Sequence, residues 1–354
     1  MSKTMKAVCK MADGKENWEY KDVPRLDPGE GEVEMEVKCI GICGSELHAY
    51  HDNHFYRPGN ILGHEFCGVI SRVGPGVTDW KLGDRVVSEM FQGGCGTCEF
   101  CRRGMPGFCL HGKYVGWDID GGWADYFIAK TNMLMKLPDH VSYEYGAMIE
   151  PLGVLTNSLI VNEQPVKGGD VVLVQGCGTI GMIGAMVAKA AGASRVIMTG
   201  TNVDKEVRFP IAEDIKAIDR IVNVQTEDLK SIIMEETDGL GVDVILEASG
   251  SDIAINQMTD YIRDRGKIVA LGESGKTPIS IDWNKFLKKS CSIHYSFSEV
   301  HEAWHITMNL LNAGVLELDK LITHKLHLKD FMEGFELLDA KKGQKVLLYP
   351  QGVK

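Results

Sequence analysis

The sequence predicts a two-part α/β chain, a mainly antiparallel β domain followed by a doubly wound parallel sheet, on three observations. Residues 5 to about 150 alternate short β-branched runs with Gly, Pro and Asp turns, as in GEVEMEVKCI, FCGVISRVG and DRVVSEM, which is the texture of antiparallel strands. From about Gly168 the pattern becomes strand then helix. VVLVQ (171–175) leads into a helical stretch to about Ala191, and RVIMT (195–199), RIVNV (220–224), VDVILEA (242–248) and KIVAL (267–271) follow at helical spacing. Apolar runs so separated belong to parallel strands joined by helical crossovers. Finally, 354 residues suffice for two separate cores. The repeat lapses after about residue 295, so the tail is expected to return to the first domain. The expected units are 1–155 with 296–354, and 156–295, with Pro151–Ser158 as a candidate cleft.

Composition narrows the function. Apolar residues make up 44% and charged residues 25% of the chain, the balance of a globular protein. A net charge of -11 argues against nucleic acid or acidic membrane as partner and for a small neutral or polar substrate. No run of about 18 apolar residues occurs, and the opening MSKTMKAVCK lacks a signal-peptide core. A cytoplasmic location is therefore expected. Ten cysteines then read as thiols or metal ligands rather than a disulfide framework.

Gly176-Cys177-Gly178-Thr179-Ile180-Gly181 follows an apolar strand directly and opens a helix. The first glycine permits the turn, the second admits a pyrophosphate, and the third lets helix and strand pack. Backbone N–H groups of Thr179 and Ile180 would meet the phosphates at the positive end of the helix. A carboxylate for the adenosine ribose is expected at the end of the next strand, but Gly200-Thr201-Asn202 stands there. Asp204 is expected to cap the following helix. Without that carboxylate a 2′-phosphate is not repelled, and Lys205 and Arg208 are near enough to attract one. The sequence leans to NADP and leaves NAD open.

Cys95, Cys98, Cys101 and Cys109 form C-x2-C-x2-C-x7-C in a Gly-rich lobe, 93–112. Four close thiolates can close a tetrahedral structural zinc site, with an iron–sulfur cluster as the rival. A second set is dispersed: Cys43, His64, Glu65 and Glu150. One thiolate, one imidazole and one carboxylate would leave a fourth position for substrate, as a catalytic zinc requires.

G-H-E-F-x-G-V-I, G-V-x-x-W-x-x-G-D-R-V, the four-cysteine lobe and G-x-G-T-I-G, in that order, resemble the zinc-dependent medium-chain dehydrogenase family over nearly the whole chain. Cys43-Gly-Ser-Glu-Leu-His48 and Ile149-Glu-Pro-Leu-Gly153 resemble its polyol, butanediol and threonine dehydrogenase branch. The resemblance implies a GroES-like catalytic domain, a Rossmann dinucleotide domain, and two zinc ions per subunit, one catalytic and one structural. NAD or NADP is the implied cofactor, and a homodimer or homotetramer the implied assembly. It carries Cys43, His64 and a carboxylate over as catalytic-zinc ligands, leaving open whether that carboxylate is Glu65 or Glu150. Ser45 and His48 resemble the family's hydroxyl–imidazole proton relay, the alternative being a helix cap and a surface residue. Such a zinc lowers the pKa of a substrate hydroxyl, and the nicotinamide takes up the hydride.

For the substrate, His294 and Tyr295 fall where polyol dehydrogenases carry an Arg–Tyr pair. With Glu150, and with Tyr50, His51 and His54 nearby in sequence, they favour a polyol, diol or sugar acid oxidised reversibly to a ketone, the alternative for the last three being solvated loop residues. A threonine-type amino-alcohol dehydrogenase is the alternative within the enzyme class. A catalytically inactive dinucleotide-binding sensor is the alternative outside it, and loss of metal ligands would mark it.

Overall fold

A computed structural model describes residues 3–91, 94–103, 105–274 and 278–353. Gly93 and Gly104 of the predicted lobe lie outside the described residues, as do residues 1, 2 and 354 of the predicted outer domain. The chain divides into two compact units, residues 1–150 with 322–354, and 151–321.

In the first unit, Glu32–Gly41 is the hub of a seven-stranded sheet. It pairs antiparallel with Phe66–Val73 on one edge, and with Tyr126–Lys130 and Lys345–Tyr349 at different points along its length. The alternating runs of the sequence bury Val33, Met35 and Val37 here. Trp18, Tyr50, Trp123, Phe331 and Phe335 pack into an aromatic core beside them. Ile40 opposes Phe66, and the Gly41 amide donates to the Glu65 carbonyl at 2.8 Å. That pairing sets the end of one strand, which leads to Cys43, against the start of the other, which follows His64 and Glu65.

The second unit holds a six-stranded parallel sheet whose order, counting strands along this unit, is 3-2-1-4-5-6, the doubly wound dinucleotide arrangement. Five of its strands match the predicted runs. The sixth, Ser292–Tyr295, lies outside them, because Ile293 is its one aliphatic residue and the segment carries too little apolar periodicity to register.

The predicted boundaries need correction on both sides. The return to the first unit falls at 321/322, not 295/296, and the first crossing at 150/151, not 155/156. The helix His301–Asn312 stays with the second unit by burying Trp304 and by a 3.0 Å bond from Thr307 Oγ1 to Thr156 Oγ1. Asn157 Nδ2 also donates to the Ser298 carbonyl at 3.2 Å. Among the described residues, no helix is long and apolar enough to cross a membrane.

Candidate active site and metal centres

The lobe brings its four sulfurs together, all within 4.8 Å of one another. Cys98 Sγ lies 3.8 Å from Cys109 Sγ, the edge of a tetrahedron whose metal–sulfur bonds are about 2.3 Å. An iron–sulfur cluster would put a cage of atoms between the thiolates and hold them farther apart, so the spacing fits a single ion. Thr97 Oγ1 and the Cys98 amide donate to Cys95 Sγ, each at 3.3 Å. These donors hold that thiol down to about 5, which readies it as a thiolate. Burial pushes the Cys101 thiol up to about 12.

The dispersed set also converges. Ligand atoms of Cys43, Glu46 and His64 lie within 4.8 Å of one another, as do those of His64, Glu65 and Glu150. Cys43 ends the extended segment before the helix Gly44–Tyr50. Glu46 accepts the Cys43 amide at 2.8 Å and lies 2.8 Å from His64 Nδ1. Glu46 thus leaves Nε2 as the imidazole's ligating atom. Sequence reasoning passes over Glu46, although C-x-x-E has the spacing of a capping box.

Sequence reasoning also misses Lys345. It is 2% exposed, ion-pairs with Glu65, and donates to the Ile42 carbonyl at 3.1 Å. It lies 280 residues from Glu65 along the chain, so no local pattern announces it. A side chain at Gly41 would put its Cβ 2.2 Å from Glu65 Oε2, so glycine makes room for the pair.

Three buried carboxylates and a thiol against one ammonium and one imidazole leave an excess of buried negative charge, which a divalent cation would neutralise. Burial and then Glu65 push the Cys43 thiol up. Burial opposes charging His64, but Glu46 and Cys43 outweigh it and raise the imidazole well above its usual range. The donor set therefore fits zinc.

Ser45 and His48 share the helix Gly44–Tyr50, one turn apart. Cys43, not Ser45, is the N-cap, so the expected alternative role for Ser45 is excluded. Ser45 Oγ is buried and has no hydrogen-bond partner among the described residues. Tyr50 and His51, read from the sequence as polar neighbours, find other partners. Tyr50 stacks on Phe335 at 4.9 Å in the core, and His51 pairs with Asp339 at 2.8 Å.

In the second unit each loop glycine has a separate reason. Gly176 adopts φ +104; a Cβ on Gly178 would meet open space, as a phosphate cradle needs; one on Gly181 would sit 2.0 Å from the Gly176 carbonyl. Gly178 caps the helix Thr179–Ala190, whose first turn contains no acidic residue. A Cβ on Gly200 would lie 2.4 Å from the Phe209 ring and 2.7 Å from Cys177 Sγ, so packing keeps this position a glycine.

Asp204 does not cap the helix Arg208–Asp214, whose N-cap is Val207. It closes back on Thr201, accepting from its amide at 2.9 Å and its hydroxyl at 3.0 Å. Arg208 pairs with Asp204 at 3.1 Å, which offsets the attraction it was expected to offer a 2′-phosphate. His294 and Tyr295 lie on the edge strand Ser292–Tyr295, and Tyr295 is 77% exposed.

A doubly wound dinucleotide sheet in one chain with a closed and an open zinc-type donor set defines a metal-dependent dehydrogenase. Profiles described as "Alcohol dehydrogenase GroES-like domain" and "Zinc-binding dehydrogenase" match residues 29–139 and 179–313. The chain is 34% identical to the sorbitol dehydrogenase of Halalkalibacterium halodurans, covering 98% of this chain and 99% of that one. It is 37% identical to the L-threonine 3-dehydrogenase of Pyrococcus abyssi, covering 98% and 99%. Among solved structures, 2R,3R-butanediol dehydrogenase from Bacillus subtilis superposes with a TM-score of 0.87 at 30% identity, covering 98% and 99%. The chain belongs to the zinc-dependent medium-chain alcohol dehydrogenase family, oxidoreductases that act on CH–OH donors with NAD or NADP.

Proposed function

We propose that this enzyme oxidises a secondary hydroxyl of a small polar alcohol, a polyol, diol or sugar acid, reversibly to a ketone. The observation that carries the reading is the meeting at His64 of two donor groups, one with Cys43 and one with Glu65 and Glu150, Cys43 standing two residues from a Ser45 hydroxyl that is unpartnered among the described residues. The sorbitol and butanediol dehydrogenases among its relatives support the substrate class. A zinc ion held there supplies Lewis acidity toward the substrate hydroxyl. Ser45 takes the departing proton and His48 delivers it to solvent. The four lobe cysteines hold the structural zinc.

Glu150 is the inner carboxylate in this reading, because Lys345 already neutralises Glu65. Glu150→Ala then lowers bound zinc more than Glu65→Ala; the reverse order overturns the assignment. Gly176, Gly178, Thr179, Ile180 and Gly181 take the pyrophosphate, with Gly200, Thr201 and Arg208 around the adenosine ribose and Glu150, His294 and Tyr295 at the substrate. Comparing KM for NAD and NADP tests the ribose contacts. The enzyme works in the cytoplasm as a homodimer or homotetramer. Support for assembly comes from the strand Ser292–Tyr295, paired on one edge, with Tyr295 and Phe297 exposed at 77% and 69%. Light scattering after size exclusion tests it.

The deciding assay follows reduced-nicotinamide absorbance across polyols, diols, sugar acids and threonine. Highest kcat/KM on a polyol or diol upholds the proposal. Highest kcat/KM on threonine favours the amino-alcohol reading, which the Pyrococcus abyssi relative supports.

A further inference from the structure

A row of rings starts at His64 and is not needed to bind a metal. The Trp117 ring lies 5.6 Å from that of His64 and 4.4 Å from that of His54, tilted by 42° and 37°. Burial loosens along the row: His64 is 4% and Trp117 6% exposed, whereas His54 is half-buried. The row therefore leads from the donor set toward solvent.

Glycines hold it in place. Gly63 and Gly116 have φ of +92° and +84°. A Cβ on Gly116 would lie 3.0 Å from the Gly63 backbone, and one on Gly121 2.1 Å from the Gly63 carbonyl oxygen. Only turns without side chains let the segments carrying His64 and Trp117 approach so closely. Asn60 Nδ2 donates to the Trp117 carbonyl at 3.3 Å and pins the turn further. At the outer end, His54 Nδ1 is 2.8 Å from the Phe55 carbonyl. A carbonyl can only accept, so Nδ1 carries the proton in the neutral ring and Nε2 keeps a lone pair.

We infer that Trp117 and His54 form the specificity wall of this site: Trp117 packs on the C–H face of the substrate's carbon chain, and His54 Nε2 accepts a hydrogen bond from a hydroxyl remote from the carbinol. The inference rests on the polyol reading above. An indole face attracts C–H surface through dispersion. A fixed acceptor discriminates against an analogue lacking its hydroxyl, which would leave the lone pair unpaired. The carbon chain must reach past one indole, which selects a pentitol or hexitol over a short alcohol.

The test uses the zinc-loaded enzyme and its Trp117→Leu, Trp117→Phe and His54→Ala variants. The substrates are a hexitol, its terminally deoxygenated analogue, and 2,3-butanediol. Trp117→Leu is expected to lower kcat/KM for the hexitol by about tenfold, mainly through KM, and to change butanediol far less. Trp117→Phe should retain most of the activity. His54→Ala should lose about tenfold on the hexitol and leave the deoxy analogue unchanged. Metal analysis should find zinc content equal to wild type in all variants.

Equal losses on all three substrates, or lost zinc, would make Trp117 a mere support of His64 and overturn the wall. If wild type oxidises butanediol but no pentitol or hexitol, the proposed function stands in its diol form and the chain-length selection falls; if it oxidises threonine alone, the proposed function itself falls. The wall then stands only if Trp117→Leu selectively raises kcat/KM for bulkier alcohols. Tryptophan fluorescence reads the contact without turnover. Hexitol added to the cofactor-loaded wild type should change the emission, Trp117→Phe should remove the change, and no difference between them overturns the inference.

Discussion

The four-thiolate lobe and the open donor set are built in opposite ways. The lobe takes its donors from one stretch, Cys95 to Cys109, and its short helices Glu99–Arg102 and Pro106–Phe108 bury no residue. Phe108 and Leu110 are 54% and 71% exposed. The open site gathers Cys43, His64, Glu65 and Glu150 from separate elements and backs them with a sheet and an aromatic core. Lacking a core, the lobe must draw its order from an ion. The open site is held by packing, so an ion bound there would be free to serve chemistry.

That contrast can be broken most sharply at the open site. Cys43→Ser should remove the catalytic zinc and lower kcat by about a thousandfold or more, since electrostatic activation of the hydroxyl is lost. The melting temperature should move little; a large drop would mean that the metal holds the core.

Next in size is the lobe. Cys98→Ser or Cys109→Ser should remove one zinc per chain and lower the melting temperature by several degrees, because structural zinc contributes directly to folding. Limited proteolysis should then cut within 94–112. An uncut lobe with unchanged melting would show that it folds without its ion.

His48→Ala should slow turnover by about 10- to 100-fold and alter the pH dependence of kcat, with zinc content unchanged. An unaltered pH profile would remove His48 from the proton path.

The smallest effect concerns the sheet behind the open site. Glu34, on the strand Glu32–Gly41, is buried, yet hydrogen bonds from Arg25, Arg72 and Ser71 outweigh burial and hold its carboxyl down to about 2. A depressed carboxyl contributes stability that is full above its unfolded value, near 4.5, and is lost as pH falls toward 2. Denaturant titrations should therefore lose on the order of 3 kcal/mol across that window, and the Glu34→Gln variant should lose much less.

Local demands leave the clearest marks in the sequence. The glycine loop is readable because each glycine answers one such demand, a positive φ, an open cradle or a close helix packing. The lobe is readable because a chelate closed within one turn leaves its spacing in the sequence. The tail is misread: Trp304 and Thr307 continue to pack on the nucleotide-binding unit after its strand–helix rhythm has ended. Asp204 takes a role other than the expected cap, because several backbone amides lie within reach of a short acidic side chain and only the fold selects one.

The sequence by itself determined the two-unit architecture, the dinucleotide loop, both donor sets and the Ser45–His48 spacing, because periodicity and chelate spacing are short-range properties. Only the tertiary structure decided that Glu46 orients His64, that Lys345 neutralises Glu65, and that Trp117 stands beside the donor set. Buried charges must find partners wherever the sheet brings them, and stacked rings meet across turns. Both kinds of contact join residues far apart in the chain, where no spacing rule reaches.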